Sequence, residues 1–395
     1  MKTNGGAFAK FPTPARRKEA LALCLALTLG LGLPATAHAQ NIITFEAPGA
    51  GTLSGQGTEA ILINPAGSIM GFYADSSNVV HGFLCVLGCA SPRTFITLNA
   101  PDAGATDNGS GCLALETCQG TYPFSENLFG LVAGFYIDSN NVIHGFVTAP
   151  PYTTLTTLSD PDAGTGLDQG TIAVNINLGG EIAGDYSDAS GVSHGFVVPP
   201  PYTTFTSFDP TSSVATFTAS GIGINVEGEI AGAYFDSGGV EHGFVRVANG
   251  TITEYNVTGA GSAFGQGTST SGINDLGAIM GFYSDPSGVD HGYVRSPFGA
   301  ITTFNVSDAG TAAGQGTVPE GNNLEGEITG QYIDASGVNH GFTRGPLGAI
   351  TTFDAPGAGT GAGQGTIPLT PNLFGQITGF YIDGSGVLHG FLRMP

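Results

Sequence analysis

Seven histidines share one neighbourhood: His81, His144, His194, His242, His291, His340 and His389 are each followed by Gly and then Phe or Tyr. Six residues before each stands an aspartate: Asp75, Asp138, Asp188, Asp236, Asp285, Asp334 and Asp383. Two residues before that stands a tyrosine: Tyr73, Tyr136, Tyr186, Tyr234, Tyr283, Tyr332 and Tyr381. Imidazole near carboxylate can ligate a metal or move a proton. Both uses need groups that converge on one point, with zinc ligands at about 2 Å. A trio copied seven times along the chain spreads out instead. We therefore expect a structural histidine, hydrogen-bonded to Asp, Tyr or backbone.

Three other patterns invite chemistry. Gly191-Val192-Ser193-His194-Gly195 matches a hydrolase nucleophile motif, but that motif needs a strand–turn–helix elbow and this one falls inside an expected strand. The glycine-rich run Gly357–Thr366, with relatives at 49–58 and 259–268, resembles a phosphate loop. A P-loop requires a lysine and a following helix; we read these runs as connections where backbones approach closely. Their recurring glutamines (Gln56, Gln119, Gln169, Gln266, Gln315, Gln364) are candidates for hydrogen bonds between repeats. The seven aspartates are read as turn formers. Calcium is the competing expectation, since it takes clustered carboxylates, although no Asp-x-Asp-x-Asp loop is present. No catalytic residue, cofactor or metal ligand is assigned.

These residues sit in an internal repeat. The His-Gly-Phe/Tyr motifs are spaced by 63, 50, 48, 49, 49 and 49 residues. Each repeat reads as four strands, a to d. In the sixth, strand a ends at Asn323, b covers 327–334, c covers 338–344 and d covers 349–354. Asn-x-x-Gly separates a from b, from Asn64/Gly67 to Asn372/Gly375, and Asp-x-x-Gly or Asp-x-x-Asn separates b from c. Both fit a three-residue hairpin loop, a type I turn followed by one left-handed residue. Only Gly or Asn occupies that last position, and these tolerate positive φ best. Such a turn sets Tyr opposite His and the strand-b Gly opposite the Phe or Tyr, as in Tyr332/His340 and Gly330/Phe342.

One four-stranded sheet cannot bury both of its faces, but seven around an axis can. Ile42-Ile43-Thr44-Phe45 matches strand d, which the last repeat lacks. The expected fold is all-β, a seven-bladed β-propeller of four-stranded antiparallel blades closed by the N-terminal strand, with an open solenoid as runner-up. The recurring Ile-Asn-x-x-Gly-x-Ile-x-Gly-x-Tyr-x-Asp-x-x-Gly-Val-x-His-Gly-Phe, nearly complete from Ile273 to Tyr293, resembles the bacterial extracellular HAF-type repeat family. That family typically shows His-Ala-Phe where this chain has His-Gly-Phe. The resemblance implies export and propeller folding and transfers no catalytic residue.

Of 395 residues, 65 are glycine and only 10% are charged, which argues against long helices. Residues 1–39 have the layout of a secretory signal: basic Arg16-Arg17-Lys18, an apolar run from Ala20 to Leu33, and Ala37-His38-Ala39 before cleavage. That leaves 40–395 as one domain, with a cysteine-bearing insertion at 85–120. Cleavage removes five of ten basic residues and one of 31 acidic ones, so the net charge becomes −25. Such a chain should repel nucleic acid and anionic membranes, and no later segment is expected to span a membrane. Four cysteines remain: Cys85, Cys89, Cys112 and Cys118. An even count in an exported chain suggests two disulfides with three formal pairings. Propeller geometry places Cys85 and Cys89 in a c–d connection and the other two in a loop on the opposite face, so Cys85–Cys89 and Cys112–Cys118 are expected.

The functional expectation is an exported, non-enzymatic binding or scaffold module for an unknown extracellular ligand or protein. The alternatives are a glycan-active enzyme at the axial mouth and a purely structural surface protein. An enzyme should break the sevenfold pattern with polar residues converging at one place. The irregular stretches, 85–120 and 210–221, offer no acid/base pair. Arg246, Arg295, Arg344 and Arg393 share one repeat position and form a basic arc that could meet an anionic ligand or pair with acids.

Overall fold

The computed structural model describes residues 41–86, 94–106, 118–217 and 223–395. The proposed signal at 1–39, Cys89, Cys112 and most of the insertion loop lie outside them. Every regular element among the described residues is a β-strand.

The first repeat holds β2 (Gly57–Ile63), β3 (Ile69–Ala74), β4 (Val80–Val86) and β5 (Thr94–Leu98). The second holds β6 (Gly120–Glu126), β7 (Val132–Ile137), β8 (Ile143–Thr148) and β9 (Leu155–Leu158); the third β10 (Gly170–Ile176), β11 (Ile182–Ser187), β12 (Ser193–Val198) and β13 (Thr206–Phe208). In the fourth, strand a comes as two short pieces, β14 (Ala215–Phe217) and β15 (Gly223–Ile224), before β16 (Ile230–Phe235), β17 (Glu241–Arg246) and β18 (Ile252–Tyr255). The fifth holds β19 (Gly267–Ile273), β20 (Ile279–Ser284), β21 (Asp290–Arg295) and β22 (Ile301–Phe304), and the sixth β23 (Gly316–Asn322), β24 (Ile328–Ile333), β25 (Asn339–Arg344) and β26 (Ile350–Phe353). Last come β27 (Gly365–Pro371), β28 (Ile377–Ile382) and β29 (Leu388–Arg393), and β29 takes the N-terminal β1 (Ile42–Phe45) as its antiparallel neighbour, with Thr44 opposite Phe391.

The turns behave as their residues require. In the b–c turns Asn78 N–H donates to Asp75 O and Asp75 N–H to Val79 O, both at 3.0 Å. The turn-closing residue has φ between 59° and 83° in all fourteen a–b and b–c turns, the left-handed conformation that Gly and Asn adopt at least cost. The resulting register pairs Tyr73 with His81, Gly71 with Phe83, and so on to Tyr381 with His389.

Repeats are joined at the first residue of strand a. The c-strand N–H of Val80, Ile143, Glu241, Asp290, Asn339 and Leu388 donates 2.8–2.9 Å to the carbonyl of the glutamine before the next strand a. That glutamine precedes a glycine at φ 114–138°, as at Gly365 and Gly120. A Cβ on Gly316 would strike the carbonyl of Asp290, so only glycine allows the contact. First strands of neighbouring repeats touch from β2 through β6, β10, β15, β19 and β23 to β27, and β27 touches β2 again. Thr370 Oγ1 donates to Ile61 O at 3.0 Å across that last junction. Six of the first strands carry a β-bulge. Ile61, Phe124, Val174 and Leu369, the bulged residues of four repeats, share one buried cluster. Further clusters lie between successive sheets around Phe83, Phe146, Phe196, Phe244, Tyr293, Phe342 and Phe391.

Candidate functional site

Each b–c turn builds the same row of side chains. Aspartate Oδ1 accepts the backbone N–H two and four residues on, for Asp75 from Ser77 at 2.7 Å and Val79 at 3.0 Å. Its Oδ2 faces histidine Nε2 at 3.3–3.8 Å in all seven repeats. The imidazole stacks on the opposing tyrosine with ring centroids 4.7–5.1 Å apart. In six repeats its Nδ1 meets the residue just after strand d: Asn99, Asp209, Asn256, Asn305, Asp354 or Glu46. The valine N–H leads in holding Asp188, Asp236 and Asp334 below the usual carboxylate range, with histidine adding to it. For Asp138, Asp285 and Asp383 burial opposes the same bonds, and the bonds prevail. The rows remain partly open, with histidine side chains 18–25% exposed. Among the described residues, no group of three or more His, Cys, Asp or Glu side chains is placed to hold a metal ion.

Two expectations are corrected. The glutamine side chains fold back on their own repeat: Gln56 Nε2 donates to Asn78 at 2.8 Å and Gln119 Nε2 to Asn141 at 3.0 Å. The backbone carbonyl makes the link to the preceding repeat. The arginines do not form an open basic arc. Arg246, Arg295, Arg344 and Arg393 lie 4.8–5.0 Å over Phe208, Tyr255, Phe304 and Phe353, the last strand-d aromatics of the preceding repeats. A guanidinium over a ring face is attracted by the ring quadrupole. Where leucine (Leu98 or Leu158) takes the place of that ring, the arginine position holds Thr148 or Val198.

Cys85 lies within β4, opposite Ile69 and Phe95, rather than in the connection after it. Cys85 and Cys118 are disulfide-bonded. Which cysteine each joins falls outside the described residues.

Sequence reading missed three places where the repeat is broken by polar groups. At the first position of strand c, Val80, Ile143 and Leu388 give way to Ser193, Glu241, Asp290 and Asn339. Burial pushes Glu241 up to about 7 and Asp290 up to about 6, each against a side-chain hydrogen bond from serine, and the Asp290 charge adds to the rise at Glu241. Ser284 Oγ donates 2.5 Å to Asp290. Beside them Tyr255 and Tyr293 replace phenylalanines and meet hydroxyl to hydroxyl at 2.9 Å, with Thr270 Oγ1 2.8 Å from Tyr255. The third place is a pocket at the a–b end of the first strands, where Glu126 and Asn322 face a site shared by the first, second, sixth and last repeats. The signal for all three was a column of the repeat changing from apolar to polar.

Repeated antiparallel sheets whose first strands adjoin one another define a β-propeller. The chain resembles the BP39L lectin from Burkholderia pseudomallei at TM-score 0.55 and 11% identity, covering 87% of this chain and 94% of that one. Also similar are dipeptidyl peptidase 4 of Porphyromonas gingivalis (TM-score 0.46, 8% identity, 85% of this chain and 59% of that one) and the six-bladed β-propeller lectin of Aleuria aurantia (0.38, 10%, 79% and 94%). At these identities the likeness is one of fold. No protein-family model matches the chain, and no curated protein matches it. Among the described residues no helix is long and apolar enough to cross a membrane.

Proposed function

We propose that residues 40–395 form a seven-bladed β-propeller closed by β1, exported under the signal at 1–39, stapled by Cys85–Cys89 and Cys112–Cys118, and acting as a multivalent carbohydrate-binding module. Membership of the HAF-type repeat family belongs to the same reading. The observation that carries it is repetition at a partly open surface. A carboxylate offers about four lone-pair sites. Each turn aspartate fills two with backbone N–H groups and turns Oδ2 toward histidine at 3.3–3.8 Å, which leaves Oδ2 lone-pair capacity for a ligand hydroxyl; only in the second repeat does Asn140 also reach that oxygen, at 3.5 Å. Beside these acceptors the loops entering strand a present Leu53, Leu167 and Phe264, each at least 66% exposed. Acceptors next to apolar groups suit the hydroxyls and C–H faces of a sugar. Seven equivalent positions turn weak contacts into avidity. The likeness to a lectin over nearly its whole length supports the reading. The net charge disfavours acidic ligands.

A glycan array probed with purified residues 40–395 tests this. Retention of neutral glycans, weakened by Asp285→Ala together with Asp334→Ala, is the expected result. No retention of any glycan would overturn the carbohydrate reading.

One observation favours an enzyme instead. Glu241 and Asp290 are neighbouring half-buried carboxyls with raised pKa values, and glycoside hydrolysis uses two carboxyl groups of which one stays protonated. Release of sugar from the arrayed glycans, lost in Glu241→Gln, would replace binding by hydrolysis.

A further inference from the structure

We propose that the pocket at the a–b end of the first strands binds the ammonium end of an apolar ligand. This goes beyond the carbohydrate reading, which concerns the opposite, b–c edge.

The last position of strand a reads Ile63, Glu126, Ile176, Ile224, Ile273, Asn322 and Pro371 through the repeats. Five are apolar and two are polar. Both polar residues line the same pocket, although 196 positions separate them in the chain. Glu126 is only 8% exposed and Asn322 only 7%. A propeller built from equivalent repeats has no structural use for polar groups at only two of seven equivalent positions.

Glu126 is held by neutral donors alone. Asn64 Nδ2 donates to its Oε2 at 3.0 Å, and the Tyr152 hydroxyl bonds to the same carboxyl. Among the described residues no arginine or histidine acts on it. A buried carboxylate without a cationic partner is costly unless a ligand or proton neutralises it. Five of the seven turn asparagines donate to the carbonyl of the next turn asparagine, as Asn323 Nδ2 does to Asn372 O at 3.0 Å, while Asn225 turns to Glu229 of its own repeat. Asn64 instead turns to Glu126, so the carboxylate is oriented at the expense of that link.

Asn322 donates to Ala278 O at 3.5 Å, while its Oδ1 is buried and has no hydrogen-bond partner among the described residues. An unmet buried acceptor is costly, because it has left water without gaining a partner. Two acceptors, one anionic and one unfilled, call for a donor carrying positive charge, and an ammonium brings three N–H groups and no acceptor. The apolar part of the wall is Leu62, Ile63, Leu128, Leu324, Pro371 and Leu373, which suits an alkyl body, with the turn asparagines and Thr370 lining the rest.

Calorimetry at pH 8 with residues 40–395 tests the site, using n-hexylamine, 1-hexanol and hexanoate, three probes of one shape and different charge. Hexylamine is expected to bind at least tenfold more tightly than hexanol, and hexanoate to give no heat. Nα-acetyl-lysine methylamide in place of hexylamine distinguishes a protein side chain from a free amine. Glu126→Gln keeps the shape and the Asn64 contact; it should weaken hexylamine at least tenfold and leave hexanol unchanged. Asn322→Leu should do the same by a smaller factor, and covers the case in which Glu126→Gln melts early. Equal binding of the three probes, absence of heat with hexylamine, or hexylamine binding untouched by both variants would each overturn the proposal. The glycan array reads a different face, so either idea can fail without the other.

Discussion

At the scale of single residues, the Tyr–His–Asp row shows how a group that looks catalytic is held in place by architecture, with only part of the aspartate Oδ2 left to face a ligand. Aspartate holds two backbone N–H groups and the histidine, and histidine is fixed from its other nitrogen and by stacking. Calcium added after chelation should leave the melting temperature of residues 40–395 unchanged; a rise of several degrees would place a cation among these acids. Glu241 and Asp290 behave differently. Their unfolded carboxyls titrate near 4.5 and 3.8, the folded ones near 7 and 6. Between those limits the folded chain holds more protons, so stability falls as pH rises from about 4 to 7. Melting temperature should drop by several degrees over that interval, and the drop should shrink in the Glu241→Gln, Asp290→Asn double variant. A flat profile in the native chain would contradict the burial of these groups.

At the scale of strands and turns, much was legible beforehand. Asn or Asp at the first position and Gly or Asn at the fourth leave one economical hairpin, and that hairpin fixes the Tyr73/His81 and Gly71/Phe83 pairs. What stayed hidden depends on neighbours from other repeats. Gln56 was read as a bridge between repeats because its recurrence was visible, yet the contacting group is its carbonyl, which no sequence pattern marks. Arg344 was read as part of an arc meeting an anionic ligand or pairing with acids, because Phe304 lies 40 residues away, in the preceding repeat. Glu126 and Asn322 escaped notice because a polar residue at the end of a strand is ordinary until the strand is known to end at a shared pocket. The arginine stack makes a prediction of its own. Arg344→Met keeps the stem over Phe304 and removes the charge, and should destabilise the chain by about 1 kcal/mol in urea titration. No change would mean that the guanidinium contributes only its packing.

For the whole molecule, the first strands carry the argument. At six of the seven junctions strand a meets strand c of the preceding repeat through a glycine that nothing larger could replace, and the seam between the last repeat and the first is made by the same backbone bond, from Leu388 N–H to Gln56 O at 2.8 Å, as five of the others. The N-terminal strand β1 then fills the place that strand d occupies elsewhere. In the proposed closed propeller, closure is a matter of residues 42–45 finding residues 390–393. Hydrogen exchange followed by mass spectrometry reads this directly. The account predicts that the amides of Ile42–Phe45 exchange as slowly as those of Ile350–Phe353, the equivalent strand of the sixth repeat. Exchange of Ile42–Phe45 within seconds, as in a free chain end, with Leu388–Arg393 equally unprotected along that edge, would contradict it.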